Sequence, residues 1–257
     1  MIPLFRKIRK QMSDDNKPMK YIRYAVGEIA LVVIGILIAL SINNWNENRQ
    51  NHKKLTTYLQ GVIMDFNYEI KYIEAMIPIY TEFSENHKLF INHPDYNELT
   101  RDSLEYGMRT YDKMELPFRD NNFKKIENSG IIEFGSYENV INDIKDYYSF
   151  QVPYFKNLIK KYNDEIDSED HYFQIQQNSY EFKRVEGLNS YQTDSQAKKA
   201  QIELLKTPRV RNILKMDYDR NESYIFTLKQ TQDQIIELIS KIENVLENKN
   251  DQIQVEN

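Results

Sequence analysis

Apolar residues are distributed along this chain of 257 residues in two ways. Residues 29–42 form an uncharged apolar run, and the mostly apolar stretch extends from Ala25 to Trp45. Its length matches the roughly 20 residues that cross a bilayer as a helix. Beyond it, apolar residues recur every three or four positions, as they do on one face of a helix. The pattern predicts an N-terminal transmembrane helix that continues into a helical body.

The first amphipathic stripe follows the apolar run directly. Its members recur at intervals of three and four residues: Leu55, Leu59, Val62, Phe66, Ile70, Ile73 and Ile77. Pro78 is expected to kink or end this helix, because proline removes a backbone donor and crowds the preceding turn. The pattern resumes to about Asn92, and His93-Pro94 predicts a stop.

The second half of the chain contains two long helical patterns separated by shorter ones. Short helices are predicted at about 97–111, from Asn121 or Asn122 to Gly130, and at 195–206, with a loop over 179–194. Ser136 is predicted to cap a long helix that Pro153 bends. Its inward positions are predicted to be Val140, Ile144, Tyr147 or Tyr148, Phe155, Leu158, Tyr162 and Ile166.

The last helix is predicted to begin at Thr207-Pro208, a cap followed by a first-turn proline. Its stripe has the spacing of a coiled-coil seam: Tyr224, Leu228, Thr231, Ile235, Leu238, Ile242 and Val245. Three helices of about forty residues predict an all-α fold, in which the transmembrane helix continues into an elongated antiparallel bundle. The expected segments are a basic tail (1–24), the span (25–45), the bundle (46–248) and a frayed C-terminus (249–257).

Composition and charge locate the bundle relative to the membrane. Seven Gly and seven Pro are few, which favours long helices, and the absence of Cys excludes disulfides and thiolate chemistry. Residues 1–24 carry a net charge of +5 and the remainder −10. Such an acidic body excludes nucleic acid as a partner. Basic residues stay on the cytoplasmic side of a span, so the tail is expected inside and the body outside.

The span itself leaves alternatives open. Glu28 is interpreted as an edge residue that reaches water or Arg23, the other interpretation being a functional acid in the membrane. A cleaved signal peptide is the competing explanation of the apolar run, since Ala39-Leu40-Ser41 offers small residues for cleavage. The long basic region and the continuing helical pattern favour an anchor. Gly35 and Ala39 form a small-xxx-small pair that allows two spans to pack closely.

The sequence contains none of the phosphate-loop, nucleophile-elbow or zinc-protease motifs. His52, His87, His93 and His171 are interpreted as unpaired surface residues. Asp217, Asp219 and Asn221 resemble the start of a calcium loop, but the required Gly and Glu are missing, so they are interpreted as a solvated face. The acidic cluster from Asp164 to His171 is interpreted as exposed charge, with cation binding as the alternative. No catalytic, cofactor-binding or metal-binding residue is assigned.

Nineteen Tyr and twelve Phe are also unusual. One cluster comprises Tyr147, Tyr148, Phe150, Tyr154 and Phe155. Such rings suit a wide bundle core, in which a tyrosine buries its ring and its hydroxyl reaches water. The alternative is a groove for a peptide or glycan.

One stretch resembles a known family. Residues 27–47, GEIALVVIGILIALSINNWNE, and the basic FRKIR at Phe5 to Arg9 resemble the N-terminal signature of an uncharacterised family of single-pass membrane proteins of Gram-negative bacteria. The stretch from Phe123 to Tyr148 is more loosely similar to the family's recurring SG and YY positions. The resemblance implies a membrane-anchored, mostly helical protein. Together with the charge asymmetry it predicts a bacterial inner-membrane location, with the N-terminus cytoplasmic and the body periplasmic. It implies no catalytic residues.

The predicted function is a non-enzymatic one. The chain is expected to present its bundle outside the membrane for binding of a protein or ligand, with the bilayer and an envelope protein, or a second copy of itself, as partners. A sensory input module acting through a membrane partner is the first alternative. An enzyme that uses dispersed carboxylates is the second.

Overall fold

A computed structural model describes residues 18–109, 113–181 and 187–255, without the side chains at 18–21, 23, 24 and 248–255. The chain divides into two compact units, Met1–Thr56 and Thr57–Asn257. The basic side chains of the predicted tail, residues 1–24, and the side chains of residues 249–257, which are predicted to fray, therefore lie outside the described side chains. Within the described ranges the fold is all-α and contains no strand, as predicted.

The first helix, α1, extends over Pro18–Ile91. Its apolar stripe is buried in the second unit at Leu59, Val62, Phe66, Ile73 and Tyr80. Of the two effects predicted for Pro78, a kink or an end of the helix, the end is wrong, because α1 continues for more than three turns beyond it. Pro78 is exposed, so the carbonyl that loses its helical partner can bond water instead. The predicted stop before His93-Pro94 is confirmed.

The chain then folds back through short elements. A 3-10 turn at Tyr96–Glu98 leads into α2 (Arg101–Gly107), and α3 extends over Asn121–Glu127. Gly130 follows α3 with a φ of 72°, a left-handed conformation that suits glycine. These helices are shorter than the predicted ones, because capping residues and proline-containing turns interrupt the pattern.

The middle helical region is continuous from residue 138 to 176. It consists of α4 (Glu138–Asp146), a π-helical turn (Tyr147–Gln151), α5 (Val152–His171) and a second π-helical turn (Tyr172–Gln176). Pro153 lacks the N–H that would bond the carbonyl of Ser149, and the helix widens into a π turn there. Ser136 does not cap α4, since it lies within a preceding 3-10 turn, Gly135–Tyr137, without a side-chain cap bond.

Two further helices complete the chain. Thr193 and Gln196 form a capping box at the start of α6 (Asp194–Leu205). The last helix, α7, extends over Pro208–Val255. The hydroxyl of Thr207 accepts a hydrogen bond from the N–H of Val210 at 3.5 Å, as the predicted cap requires. From Tyr224 to Ile242 the predicted stripe of α7 is buried at every position.

Side-chain pairs give the directions of the long helices in the second unit. Three hydrogen bonds join α1 to α7: Glu74 pairs with Gln232, Ser84 with Glu222, and His87 with Leu214. Residue numbers therefore rise along α1 as they fall along α7. Helix α7 is therefore antiparallel to α1. It is also antiparallel to the α4–α5 region.

Helix α1 and the α4–α5 region run in the same direction. Phe66 meets Tyr147 at 5.4 Å between ring centroids. Phe90, next to the last residue of α1, packs in a cluster with Tyr172 and Phe173. The parallel direction arises because residues 92–137 return the chain to the starting end of the bundle.

The returning segment is fixed across the bundle by buried polar groups. Glu69 of α1, which is fully buried, accepts hydrogen bonds from the N–H of Arg119 at 2.8 Å and from the hydroxyl of Tyr147 at 2.9 Å. Asn163 of α5 bonds both backbone groups of Met114. An extended segment without its own helical hydrogen bonds is thus paired with side chains of the bundle.

Candidate functional site

A cavity of about 370 Å³ lies between the end of α1 and α2. Its apolar walls come from both helices and from the connection between them: Phe83, Leu89, Phe90, Leu99 and Tyr106. The polar side chains that line it are Asn86, His87, His93 and Ser103. Mostly apolar walls with a few polar groups are typical of small-molecule sites.

Local sequence signals place α2 over α1. Asp95 caps the 3-10 turn by accepting from the N–H of Asn97 at 2.9 Å, and Thr100 caps α2 by accepting from the N–H of Ser103 at 3.0 Å. The helices then meet at Gly107, where a Cβ atom would overlap the ring of Phe90. Only a glycine permits this close approach.

The buried end of the cavity is formed by His87, whose side chain is 3% exposed. Its Nε2 lies 3.1 Å from the carbonyl oxygen of Leu214. Since a carbonyl only accepts, Nε2 carries the proton, and in the neutral ring Nδ1 is an acceptor. Burial lowers the pKa of His87, although the nearby carboxylate of Asp217 opposes this effect. Burial therefore favours the neutral ring, in which Nδ1 is the remaining hydrogen-bond acceptor.

A layer of buried charged groups lies behind His87. Asp217 Oδ2 is 3.8 Å from His87 Nε2, and Asp217 Oδ1 accepts a bond from Arg220 at 2.7 Å. Arg220 also forms a bidentate ion pair with Glu169 of α5 and donates a hydrogen bond to Glu165 at 3.2 Å. Paired geometry of this kind stabilises a guanidinium and a carboxylate in the interior.

The layer contains more acid than base. Three carboxyl groups, those of Glu165, Glu169 and Asp217, surround the single guanidinium of Arg220. Burial raises the pKa of Asp217 and of Glu169, with Arg220 opposing in both cases. Asp217 Oδ2, Arg220 Nε and Asn221 Oδ1 are buried without a hydrogen-bond partner. The layer consequently favours a proton or positive charge nearby over a further anion.

Two interpretations of the sequence need correction. Asp217 and Asn221 do not form a solvated face, since both are fully buried and only Asp219 is exposed. His87 is buried and bonded, so it is not an unpaired surface residue. His93 is half-buried and its buried Nδ1 has no partner, so only its position at the surface needs correction. His52 lies within 3.5 Å of Thr56, whereas His171 is exposed.

The acidic cluster from Asp164 to His171 does not come together as one site. Asp164 pairs with Lys160 at 2.6 Å and Asp167 with Lys113 at 2.9 Å, whereas Glu169 points inward to Arg220. In the described parts of the chain, no group of three or more His, Asp and Glu side chains is placed to hold a metal ion.

The aromatic cluster is divided between core and surface. Tyr147 and Phe155 are buried, as the core interpretation predicts, whereas Phe150 and Tyr154 are exposed. Phe155 packs against Tyr224 of α7, with ring centroids 6.1 Å apart. The rings therefore do not line one groove together.

The buried charged layer had a signal in the sequence that was not used. The α7 stripe extends backward from Tyr224 without changing its spacing, through Asn221 and Asp217 to Leu214. The α1 stripe likewise extends forward through Ser84 to His87. Polar residues at seam positions indicate buried polar groups, so this extension locates the layer.

Comparison with known proteins supports the resemblance seen in the sequence. Residues 28–88 match the model of a family of unknown function, DUF6090. No curated protein and no solved structure matches the chain. The looser similarity from Phe123 to Tyr148 lies outside the matched range and stays a prediction. The similarity to this family of unknown function thus covers residues 28–88, about a quarter of the chain.

Proposed function

We propose that this chain is a single-pass protein of the bacterial inner membrane that presents a non-enzymatic helical bundle in the periplasm. Residues 25–45 are the anchor and residues 1–24 the cytoplasmic tail. The bundle binds a ligand or an envelope protein, and its candidate site is the cavity between α1 and α2.

One observation carries the anchor. The large apolar side chains from Ile29 to Ile42 are 46–72% exposed, and no part of the most apolar window of α1 is buried. A core helix of a soluble protein has the same composition but is covered by other elements. An exposed apolar surface of this length is stable in contact with lipid.

The orientation rests on charge. Seven Lys and Arg precede the span, and three follow in the next twenty residues. This asymmetry favours a cytoplasmic N-terminus. The acidic body then lies on the side where a negative charge does not interact with the anionic inner leaflet.

The chain offers a direct test because it contains no cysteine. A single cysteine introduced as Tyr191→Cys, at a side chain that is 99% exposed, reports on the bundle, and Ser13→Cys reports on the tail. With an opened outer membrane and an intact inner membrane, a membrane-impermeant maleimide is expected to label Tyr191→Cys alone. Ser13→Cys should react only after lysis. The opposite result would overturn the orientation.

Gel mobility of the same membrane fraction tests retention of the span. The proposal requires the full-length chain in the pellet after alkaline extraction. A product shorter by about forty residues in the soluble fraction identifies a cleaved signal peptide instead.

A sensory input role is the second candidate, and the buried charged layer favours it. Asp217, Arg220 and Asn221 leave polar atoms unpartnered at the contact of α7 with α1 and α5, and such a contact can repack between two states. Crosslinking in native membranes with mass spectrometry separates the candidates. Reproducible capture of a kinase or transporter supports sensing, and capture of one envelope protein supports a scaffold.

A further inference from the structure

We propose that the cavity between α1 and α2 binds a small amphiphilic amine, with the apolar part between Phe83, Phe90 and Tyr106 and the ammonium group donating to Nδ1 of His87. This inference rests on the proposed binding function and specifies the ligand class.

The hydrogen bond of His87 with Leu214 decides the polarity of the ligand. Because Nε2 donates to the Leu214 carbonyl at 3.1 Å, the neutral ring offers an acceptor at Nδ1. A ligand must therefore bring a donor to this end of the cavity. An ammonium or hydroxyl group meets the requirement, whereas a carboxylate places an acceptor against an acceptor.

The charged groups behind His87 favour a positively charged donor, such as an ammonium group, over a neutral hydroxyl group on the ligand. The three carboxyl groups around Arg220 leave an excess of acid, and Asp217 is the member nearest to His87, at 3.8 Å. A positive head group gains from this excess and an anionic one loses. Protonation of His87 would accommodate a carboxylate, but burial lowers the pKa of this ring and opposes that route.

The walls suit the remainder of such a molecule. Phe83, Phe90 and Tyr106 line the cavity, and aromatic faces attract cations as well as apolar groups. A volume of about 370 Å³ accommodates one aromatic ring with a short side chain. His93 adds a buried Nδ1 without a partner, a second point at which a polar ligand atom can bond.

Matched probes test the ligand class. The full chain in detergent is titrated with 2-phenylethylamine, 2-phenylethanol and 3-phenylpropionate, and binding is followed by saturation-transfer NMR of the probe. We expect the amine to bind at least about tenfold more tightly than the carboxylate, because the carboxylate leaves a buried acceptor unpaired. The neutral alcohol should fall between them.

Variants distinguish binding in the cavity from partitioning into the detergent and from binding elsewhere on the protein. Asn86→Phe fills the cavity from an exposed wall position and should abolish amine binding. Asn157→Phe makes the same change at an exposed position on α5 and should leave binding unchanged. His87→Leu removes both the donor to Leu214 and the acceptor at Nδ1, so the preference for amine over carboxylate should be lost. Near-UV circular dichroism confirms that each variant is folded.

The outcomes distinguish this inference from the proposed function. Amine binding that Asn86→Phe abolishes, with the preference removed in His87→Leu, supports the inference. Stronger binding of the carboxylate at the same cavity overturns the ligand class and leaves the binding function standing. No binding of any probe, or equal binding by Asn86→Phe, overturns the cavity as the site. The anchor and its orientation are tested separately, by alkaline extraction and by cysteine labelling.

Discussion

Arg220 of α7 and Glu169 of α5 form a bidentate ion pair inside the bundle, where the two residues are 3% and 8% exposed, respectively. Arg220 is also the only cation that bonds Asp217 among the described ion pairs and hydrogen bonds. Arg220→Met is therefore expected to lower the free energy of unfolding by about 3–5 kcal/mol, since it leaves buried carboxylates uncompensated. Urea unfolding of the full chain in detergent, followed by near-UV circular dichroism, measures this loss.

Two further variants check that the loss arises from burial. Lys160→Met removes the ion pair between Lys160 and Asp164, whose side chains are 73% and 63% exposed, respectively. This substitution should not change the unfolding midpoint measurably. The double variant Arg220→Met with Glu169→Leu should recover part of the loss, because one orphaned charge is gone. Equal effects of the Arg220 and Lys160 substitutions would show that the pair is not buried in solution.

The fold of the second unit follows largely from periodicity. The apolar positions that predict α7 are those that are buried from Tyr224 to Ile242, because an amphipathic helix of this length can cover its stripe only against other helices. The thirteen residues after Pro78 continue α1 for the same reason. The buried side chains of Tyr80 and Phe90 stabilise the part of α1 that follows Pro78. The proline destabilises the helix only in its own turn.

The candidate site was less predictable because it depends on contacts between distant segments. Nothing in the local pattern around His87 shows that Leu214 supplies a carbonyl to it. The cavity depends on α2 folding back at Gly107, in a region where capping residues, and not apolar spacing, decide the chain path. The available signal was the presence of polar residues at seam positions of α1 and α7. This signal indicates that the residues are buried but does not identify the groups that they bond.

Glu69 should make stability depend on pH. Burial raises its pKa from 4.5 to about 7, against the opposing hydrogen bonds from Arg119 and Tyr147. Between these values the folded state retains a proton that the unfolded state has lost. Its contribution to stability is therefore present below about pH 4.5 and falls as the pH rises to 7, by up to about 3 kcal/mol.

A neutral variant isolates this contribution. Glu69→Gln cannot ionise, so its unfolding free energy relative to wild type should increase between pH 5 and pH 7.5. Glu85→Gln changes an exposed residue on the same helix and serves as the control, with a difference from wild type that is constant over this range. A constant difference for Glu69→Gln as well would contradict the raised pKa.

Gly107 is expected to tolerate no side chain. A Cβ atom at this position would overlap Phe90 Cδ2, and Phe90 is buried against the core. Gly107→Ala should destabilise the bundle by about 1–3 kcal/mol through overpacking. Gly27→Ala adds the same methyl group where no atom lies within 4 Å and should be neutral. Adding Phe90→Leu to Gly107→Ala should relieve part of the clash, which urea unfolding can detect.

Thr193 and Ser136 provide a paired test of what a capping residue contributes. Thr193 accepts a hydrogen bond from the N–H of Gln196, whose side chain in turn bonds the N–H of Thr193, so Thr193→Ala should destabilise α6 by about 1 kcal/mol. Ser136 has the same kind of sequence signal, but it lies in the 3-10 turn before α4 and forms no cap bond.

Ser136→Ala is accordingly expected to leave stability unchanged. Hydrogen exchange resolves the two changes by region: amides of α6 should exchange faster in Thr193→Ala, and those of α4 should be unaffected in Ser136→Ala. Faster exchange in α4 would mean that Ser136 caps the helix in solution, as the sequence pattern predicts, and that the 3-10 turn before α4 is not the conformation that begins it.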